Sequence, residues 1–288
     1  MLTELALGRG DLDKLAELRG DAARVEAIIA DPTTHIVGVS GGDVAVDGSA
    51  LADVRARLGM AHATYLIGQA DGRTFVAAAF DVPPAGFRSL REVGSALGDD
   101  EAAVATAAVA LDQWHRLHTH CPRCGTPTVP AMAGWERHCP VDGTSHFPRT
   151  DPAVIVVITD PDDRLLLARQ GTWPQRRFSL VAGYVEPGET AERAVQREVL
   201  EEVGLAVGDL DFLGSQPWPF PASLMLCYHA RTTKVDFRVD GEEIVEAGWW
   251  TRAELAAAVA SGELLLPSGV SIARRAIEDW FGEPLREA

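Results

Sequence analysis

The sequence predicts an α+β protein whose strands and helices stack as α/β/α layers. Three observations carry that expectation. Two glycine-centred hairpins lie in the first third, two apolar strands flank an acidic turn at mid-chain, and long helical stretches are mixed with these antiparallel pairs. A chain of 288 residues, 47% hydrophobic and 24% charged, is long enough for one large or two ordinary domains with proper cores.

Taken in order, THIVGVSGGDVAVDG alternates around Gly41-Gly42, and ATYLIGQADGRTFVAAAF sets Asp71-Gly72 between two β-prone runs, so both read as hairpins. From Asp99 the Ala-rich DDEAAVATAAVALDQWHRLHTH reads as a long helix, opened by acidic residues and closed by His and Arg. Residues 120–149 have the Cys, Gly and Pro density of a stapled loop region. PAVIVVITDPDDRLLLARQ then gives two strands, followed by a glutamate-rich helix, strands near Leu210–Leu213, Leu224–His229 and Gly248–Trp250, and a closing helix SIARRAIEDWF. The two hairpin-rich halves could be distant copies of one fold.

The formal net charge is −16, which argues against non-specific binding to nucleic acid or to an anionic membrane, since both need cationic patches. No apolar run approaches a membrane span, and MLTELALGRGDLDKL is too acidic for a signal peptide. Four cysteines in a chain of this length predict a reduced, cytoplasmic protein whose thiols serve metal or packing.

GYVEPGETAERAVQREVLEEVGL, from Gly183 to Leu205, raises the main question. Thr190 is a fair N-cap and Gly204 sits where a C-cap glycine belongs. Val195, Val199 and Val203 form one apolar stripe, with Glu198, Glu201 and Glu202 on a narrow arc beside it. Like charges at these spacings repel by roughly 0.2–0.5 kcal/mol per pair, and the helix dipole disfavours anions near a C-terminal end. A merely solvated face would intersperse lysines, and this stretch has none. Divalent cations would turn the liability into a site, because Mg²⁺ takes carboxylate oxygens and keeps positions for water and phosphate.

The spelling Gly183, five residues, Glu189, seven residues, then Arg197-Glu198-Val199-Leu200-Glu201-Glu202-Val203-Gly204-Leu205 resembles the Nudix box at every defined position. The resemblance implies an enzyme that hydrolyses a nucleoside diphosphate linked to another moiety with Mg²⁺ or Mn²⁺. It implies Glu198 and Glu202 as metal ligands, Glu201 as a further ligand or water-positioning group, the Ala182 carbonyl as another ligand, and an Arg197–Glu189 ion pair holding loop to helix. DGEEIVEAGWW resembles the segment supplying a distal metal glutamate, with Glu243 favoured over Glu246.

Beyond the box, Ser215 to Ser223 reads SQPWPFPAS, a stiff segment that cannot pair as an inner strand. The string resembles the signature of the NADH pyrophosphatases within the Nudix family. That resemblance implies that Gln216, Pro217, Trp218, Pro219, Phe220, Pro221, Ala222 and Ser223 line a dinucleotide. It also implies contacts from Phe147, where the family sandwiches a base, from Ala273 and, through the short match SLREV, from Arg91. An aromatic–proline rim suits stacking on a base or nicotinamide.

CPRCG at Cys121–Gly125 reads as half of a zinc ribbon, with Cys139 following at a usable spacing. A thioredoxin-type pair is the rival, but Gly125-Thr126-Pro127 is a turn rather than a helix start. The resembling family closes its zinc with a fourth cysteine three residues after the third, where this chain has Asp142. Zinc accepts a carboxylate, His138 and His146 are other candidates, and Cys227 reads as core. The eight histidines come with no nucleophile motif of the G-x-S-x-G type.

The resemblance therefore implies an N-terminal Nudix-like α/β domain over 1–119, a zinc-ribbon-like insert over 120–149 and a catalytic Nudix sandwich over 150–288. The implied reaction is hydrolysis of NAD(H) to NMN(H) and AMP by a homodimer, with removal of NAD caps from RNA 5′ ends as a second activity. The alternatives are hydrolysis of ADP-ribose or dinucleoside polyphosphates, against which SQPWPFPAS speaks, and a non-catalytic sensor of NAD metabolites, against which the intact glutamates speak.

Overall fold

The structure is a computed structural model and describes residues 1–3 and 5–285. The chain divides into two compact units, one of residues 6–150 with 217–223, the other of residues 1–5, 151–216 and 224–288. The cysteine-bearing insert is thus counted with the N-terminal unit, and so is most of the aromatic–proline segment.

In the N-terminal unit, helix α1 (Ala22–Ala30) precedes strands β1 (His35–Ser40), β2 (Asp43–Asp47), β3 (Ala50–Leu51), β4 (Ala63–Ala70), β5 (Arg73–Ala79) and β6 (Phe87–Ser89). The strands are ordered β3-β2-β1-β5-β4, with β6 beside β2. The pairings β1–β2, β2–β3, β2–β6 and β4–β5 are antiparallel, and β1 runs parallel to β5. The expected hairpins are both present. Val39 pairs with Val44 across Gly41-Gly42, and Asp71 and Gly72 both take positive φ, as a two-residue turn between right-twisted strands requires. A single turn, α2 (Leu90–Val93), leads to α3 (Asp99–Leu117), which packs across β1 and β4. Its alanines let the helix approach the sheet closely, and Asp99, Asp100 and Glu101 favour its N-terminal end. The insert follows as a small antiparallel sheet of β7 (Val129–Ala131), β8 (Glu136–His138) and β9 (Ser145–His146). It is tied to the larger sheet by Trp135 Nε1–H donating to the Leu66 carbonyl at 2.6 Å.

The other unit is built on β10 (Asp151–Thr159), β11 (Leu165–Gln170), β12 (Val181–Tyr184), β13 (Gly208–Trp218), β14 (Ser223–Arg231) and β15 (Ile244–Trp250). The order is β13-β14-β10-β11-β15, with β12 on β10. Alternation along β10 explains its unbroken apolar run. Val154, Val156 and Ile158 face helix α4 (Ala191–Val203), while Ile155 and Val157 face α5 (Arg252–Ala260) and α6 (Ile272–Phe281). Helices thus cover both faces of one sheet. The N-terminal residues join this core, with Leu2 and Leu5 buried on the α5/α6 side and Leu2 N–H donating to the Leu213 carbonyl.

The sequence reading stops β13 at Leu213, whereas the strand continues through Ser215, Gln216 and Pro217 to Trp218. It can do so because β13 is an edge strand, where a proline removes no inner ladder bond. Strand β12 and helices α1 and α5 were not anticipated, although Thr251 and Glu254 form a full capping box that announces α5.

Candidate functional site

Helix α4 is fixed at both ends as its sequence requires. Thr190 accepts the Arg193 N–H, and Gly204 ends the helix at φ +68°. Val195, Val199 and Val203 are fully buried, and this stripe sets the helix rotation. Glu202 is turned inward at 3% exposure, Glu198 lies half-buried at its edge, and Glu201 points outward. Strand β12 brings Ala182 and Gly183 alongside, paired with Ile155 and Val154. A Cβ on Gly183 would fall 2.0 Å from the Glu198 carboxyl carbon, so any larger residue would push that carboxyl from its present position.

Arg197 organises the carboxylates. Its guanidinium reaches Glu189 at 2.6 Å, Glu198 at 2.8 Å and Glu201 at 3.2 Å, and also donates to the Tyr184 carbonyl at 2.9 Å. Hydrogen bonds from Arg197 and from the Glu186 N–H hold the Glu189 carboxyl below its usual range. Burial pushes Glu198 upward against the pull of Arg197.

Glu202 has no such support. Both of its carboxylate oxygens are buried without a hydrogen-bond partner. Burial, followed by the charges of Glu243, Glu198, Asp240 and Glu201, pushes its pKa up to about 8. A buried carboxyl ringed by other carboxylates, with no cation bonded to it among the described residues, is a donor set that fits a divalent metal.

Of the two distal candidates, Glu243 lies in the charge field of Glu198 and Glu202, whereas Glu246 is paired with Arg169 at 3.0 Å across β11 and β15. Asp240 escaped sequence reasoning. It accepts the Glu243 N–H at 3.1 Å and the Ile244 N–H at 2.8 Å, and its own N–H donates to the Glu202 carbonyl at 3.1 Å. Burial would raise its pKa, but the backbone amides of residues 241–244 outweigh this and lower it. Its signal was the Asp240-Gly241 turn, with Gly241 at φ +80°.

Among the described residues, the metal-binding side chains that already converge are Cys121, Cys124, Cys139 and Asp142, with donor atoms within 4.8 Å of one another. His138 and His146 are outside this set. Two equivalent turns build it. In CPRCG the Gly125 N–H donates to the Cys121 carbonyl at 2.9 Å, and in CPVDG the Gly143 N–H donates to the Cys139 carbonyl at 3.0 Å. Both glycines are left-handed, at φ +72° and +73°. Asp142 therefore occupies in the second turn the place that Cys124 holds in the first. Burial would raise the Cys121 thiol, but the Thr144 hydroxyl and the amides of Arg123 and Cys124 bring it down to about 6, favouring the thiolate a metal needs. Hydrogen bonds from Thr144 hold Asp142 ionised. Three thiols and a carboxylate fit a structural, closed zinc site. Cys227 lies in the core, as expected.

The other expected contacts are dispersed. Gln216 is fully buried, its side-chain amide donating to the Val270 carbonyl at 3.0 Å, and Ala273 is buried in the α6 core. Pro217 and Pro221 are exposed, Pro219 and Ser223 are buried, and Trp218, Phe220 and Ala222 are half-buried. Trp218 and Phe220 meet edge to face at 5.0 Å, and the Arg91 guanidinium lies over both rings. Phe147 is 65% exposed and borders a cleft of about 540 Å³ with Trp114, His118, His120, His146 and Arg149.

Residues 149–267 match the NUDIX domain, and residues 116–147 match the NADH pyrophosphatase zinc ribbon domain. The NAD-capped RNA hydrolase NudC of Mycobacterium tuberculosis is 47% identical over 206 residues, 68% of this chain and 66% of that protein. The aligned stretch thus falls just short of two thirds of the mycobacterial relative. NAD-capped RNA hydrolase NUDT12 of Macaca fascicularis is 38% identical over 64% of this chain and 43% of its own. A NUDIX hydrolase structure from Nitrosomonas europaea matches at 20% identity with a TM-score of 0.46, over 58% of this chain and 94% of that one. With the glutamate helix, the paired knuckles and these two domain matches side by side, the chain belongs to the Nudix hydrolase family, in the branch that carries an NADH pyrophosphatase zinc ribbon ahead of the Nudix domain.

Proposed function

We propose that this chain hydrolyses the pyrophosphate of NAD(H), adding water across the P–O–P bridge to release AMP and NMN(H), and that NAD-capped RNA ends are substrates of the same site. The observation that carries the reading is the orphaned, buried Glu202 within the carboxylate array of α4. Its setting supports it, in a chain 47% identical over 206 residues to proteins named NAD-capped RNA hydrolases.

Glu198, Glu202, Glu243 and the Ala182 carbonyl would hold Mg²⁺ or Mn²⁺, which when bound supplies charge neutralisation at the diphosphate and an activated water. The chain's own residues prepare that site. Arg197 keeps Glu189, Glu198 and Glu201 from splaying apart, Asp240 sets the turn presenting Glu243, and Gly183 leaves space for the Glu198 carboxyl. Glu201, exposed beside them and paired with Arg197, would serve as a further ligand or orient the water. Trp218 and Phe220 offer aromatic surface to a base or nicotinamide.

Product analysis with NADH, NAD, ADP-ribose, a dinucleoside tetraphosphate and NAD-capped RNA under Mg²⁺ and Mn²⁺ tests the proposal. NMN(H) and AMP should dominate. Turnover of ADP-ribose or the tetraphosphate in preference to NAD(H) would reject it.

A homodimer in a reducing, cytoplasmic setting belongs to the same reading. Four free thiols support the setting, and the exposed Leu117, Val129, Met132, Val141 and Phe147 in and beside the insert support self-association. Among the described residues, no helix is long and apolar enough to cross a membrane. A monomer in sedimentation velocity at micromolar concentration would rule out the dimer.

A further inference from the structure

The aromatic pair of the proline-rich segment is seated on the N-terminal unit by a chain of contacts that begins inside its core. Asp112, fully buried on α3, accepts the Gly41 N–H at 2.6 Å and the Arg116 Nε–H at 2.7 Å, which anchors the Gly41-Gly42 turn between β1 and β2. The Gly42 carbonyl in turn accepts the Leu90 N–H at 3.0 Å, fixing the start of α2. Leu90 is fully buried, so the next residue, Arg91, leaves the surface from a held position. Its guanidinium carbon lies 4.1 Å from the Phe220 ring centre and 4.9 Å from that of Trp218. Gly42 completes the seat, since a Cβ there would stand 3.7 Å from the Phe220 ring.

We propose that Arg91 is a positioning residue that sets the orientation of Trp218 and Phe220 and, through them, affinity for the dinucleotide. A segment with a proline at every second position has few amides with which to hold itself, and two rings meeting edge to face can tilt together. A planar cation stacked over both rings removes that freedom more effectively than an ammonium would. Arg91 thereby acts through the rings rather than as the direct substrate contact that the family resemblance implies. The link to affinity rests on the proposed NAD(H) reading; the link to ring orientation does not.

Two measurements separate these layers. The first is hydrogen exchange at the Trp218, Phe220 and Ala222 amides in wild type, Arg91→Ala and Arg91→Lys, with the β4–β5 hairpin as the folding control. Arg91→Ala should speed exchange in the segment by about 3- to 30-fold, with Arg91→Lys in between and the hairpin unchanged. Unchanged exchange in the segment overturns the proposal. The second is steady-state kinetics on NADH of Arg91→Ala, Trp218→Ala and the double variant. KM should rise by about 3- to 30-fold in Arg91→Ala with a smaller change in kcat, and the double variant should be no worse than Trp218→Ala alone. Multiplying effects would mean that Arg91 meets the substrate itself, and would overturn the positioning role. An unchanged KM in Trp218→Ala would reject the dinucleotide reading of the segment, while the exchange data would still decide what Arg91 does.

Discussion

Helices α3 and α4 each bury one carboxylate against a sheet, and the two are treated in opposite ways. Asp112 on α3 is fully buried, and one oxygen takes the Gly41 N–H and the Arg116 guanidinium, an i,i+4 partner. Glu202 on α4 is almost as buried, but its i,i+4 neighbour is another glutamate and neither oxygen has a partner. Burial alone therefore does not mark a site. Asp112 keeps one buried oxygen without a partner, but the other holds an amide and a guanidinium, so its charge is matched by its own chain, whereas a carboxylate surrounded by like charge needs a cation brought to it.

The sharpest way to break this contrast is Glu202→Gln. Removing the charge at nearly constant volume should lower kcat by roughly 10³-fold, about 4 kcal/mol, while the melting temperature holds or rises because an unsupported buried carboxylate has gone. Near-wild-type turnover at ordinary Mg²⁺ would take Glu202 out of the site. Asp112→Ala should do the reverse, costing about 3 kcal/mol of stability by stranding the Gly41 N–H and Arg116, with a smaller loss of kcat in protein that remains folded. An unchanged urea midpoint would show that the Asp112 contacts contribute nothing net.

Asp142 is a third case, a carboxylate placed where its twin turn has a thiol. Elemental analysis of protein purified without added metal should find about one zinc per chain. Cys124→Ser should lower that content and the melting temperature by about 5 °C, while Asp142→Cys should keep both and slow zinc loss to a chelator. Metal-free wild-type protein with the same melting temperature as Cys124→Ser would mark the cluster as a vestige. The smallest effect is expected at the rim. Trp218→Ala should cost roughly 1–2 kcal/mol, about 5- to 30-fold in KM for NADH, and less for a small pyrophosphate that lacks the second ring. Equal losses on both substrates would make Trp218 a scaffold residue.

Much of this was legible in the chain because local rules and tertiary packing agree there. The Gly41-Gly42 and Asp71-Gly72 hairpins, both caps of α4 and its valine stripe need only nearest neighbours to be read. The box positions were legible as a spelling, and its geometry adds the reason for Gly183, which no periodicity contains. What stayed hidden depends on partners distant in sequence. Edge position lets β13 run on through Pro217, and the turn at Asp240 matters only because it packs behind Glu202. The twin knuckles CPRCG and CPVDG were in plain view. The spacing alone put Asp142 at the fourth position beside His138 and His146, and the turn it shares in layout with CPRCG is what brings it to the three thiols.

Arg197 touches three carboxylates at once and a backbone carbonyl besides. It is thus a resident counter-ion, carried by the same helix turn as the anions it restrains. Lysine could supply the charge but not the fork, so the three directions would collapse to one. The consequence concerns time as much as affinity. Glu189, Glu198 and Glu201 are held together when the domain folds, so a departing metal would leave the Glu198 side of its site standing, and one ion could replace another without the domain refolding around it. In a cell where Mg²⁺ and Mn²⁺ levels drift, such a site would follow the available pool quickly, whereas the zinc knuckles, whose donors have no cationic stand-in, would tend to keep the ion they first acquired.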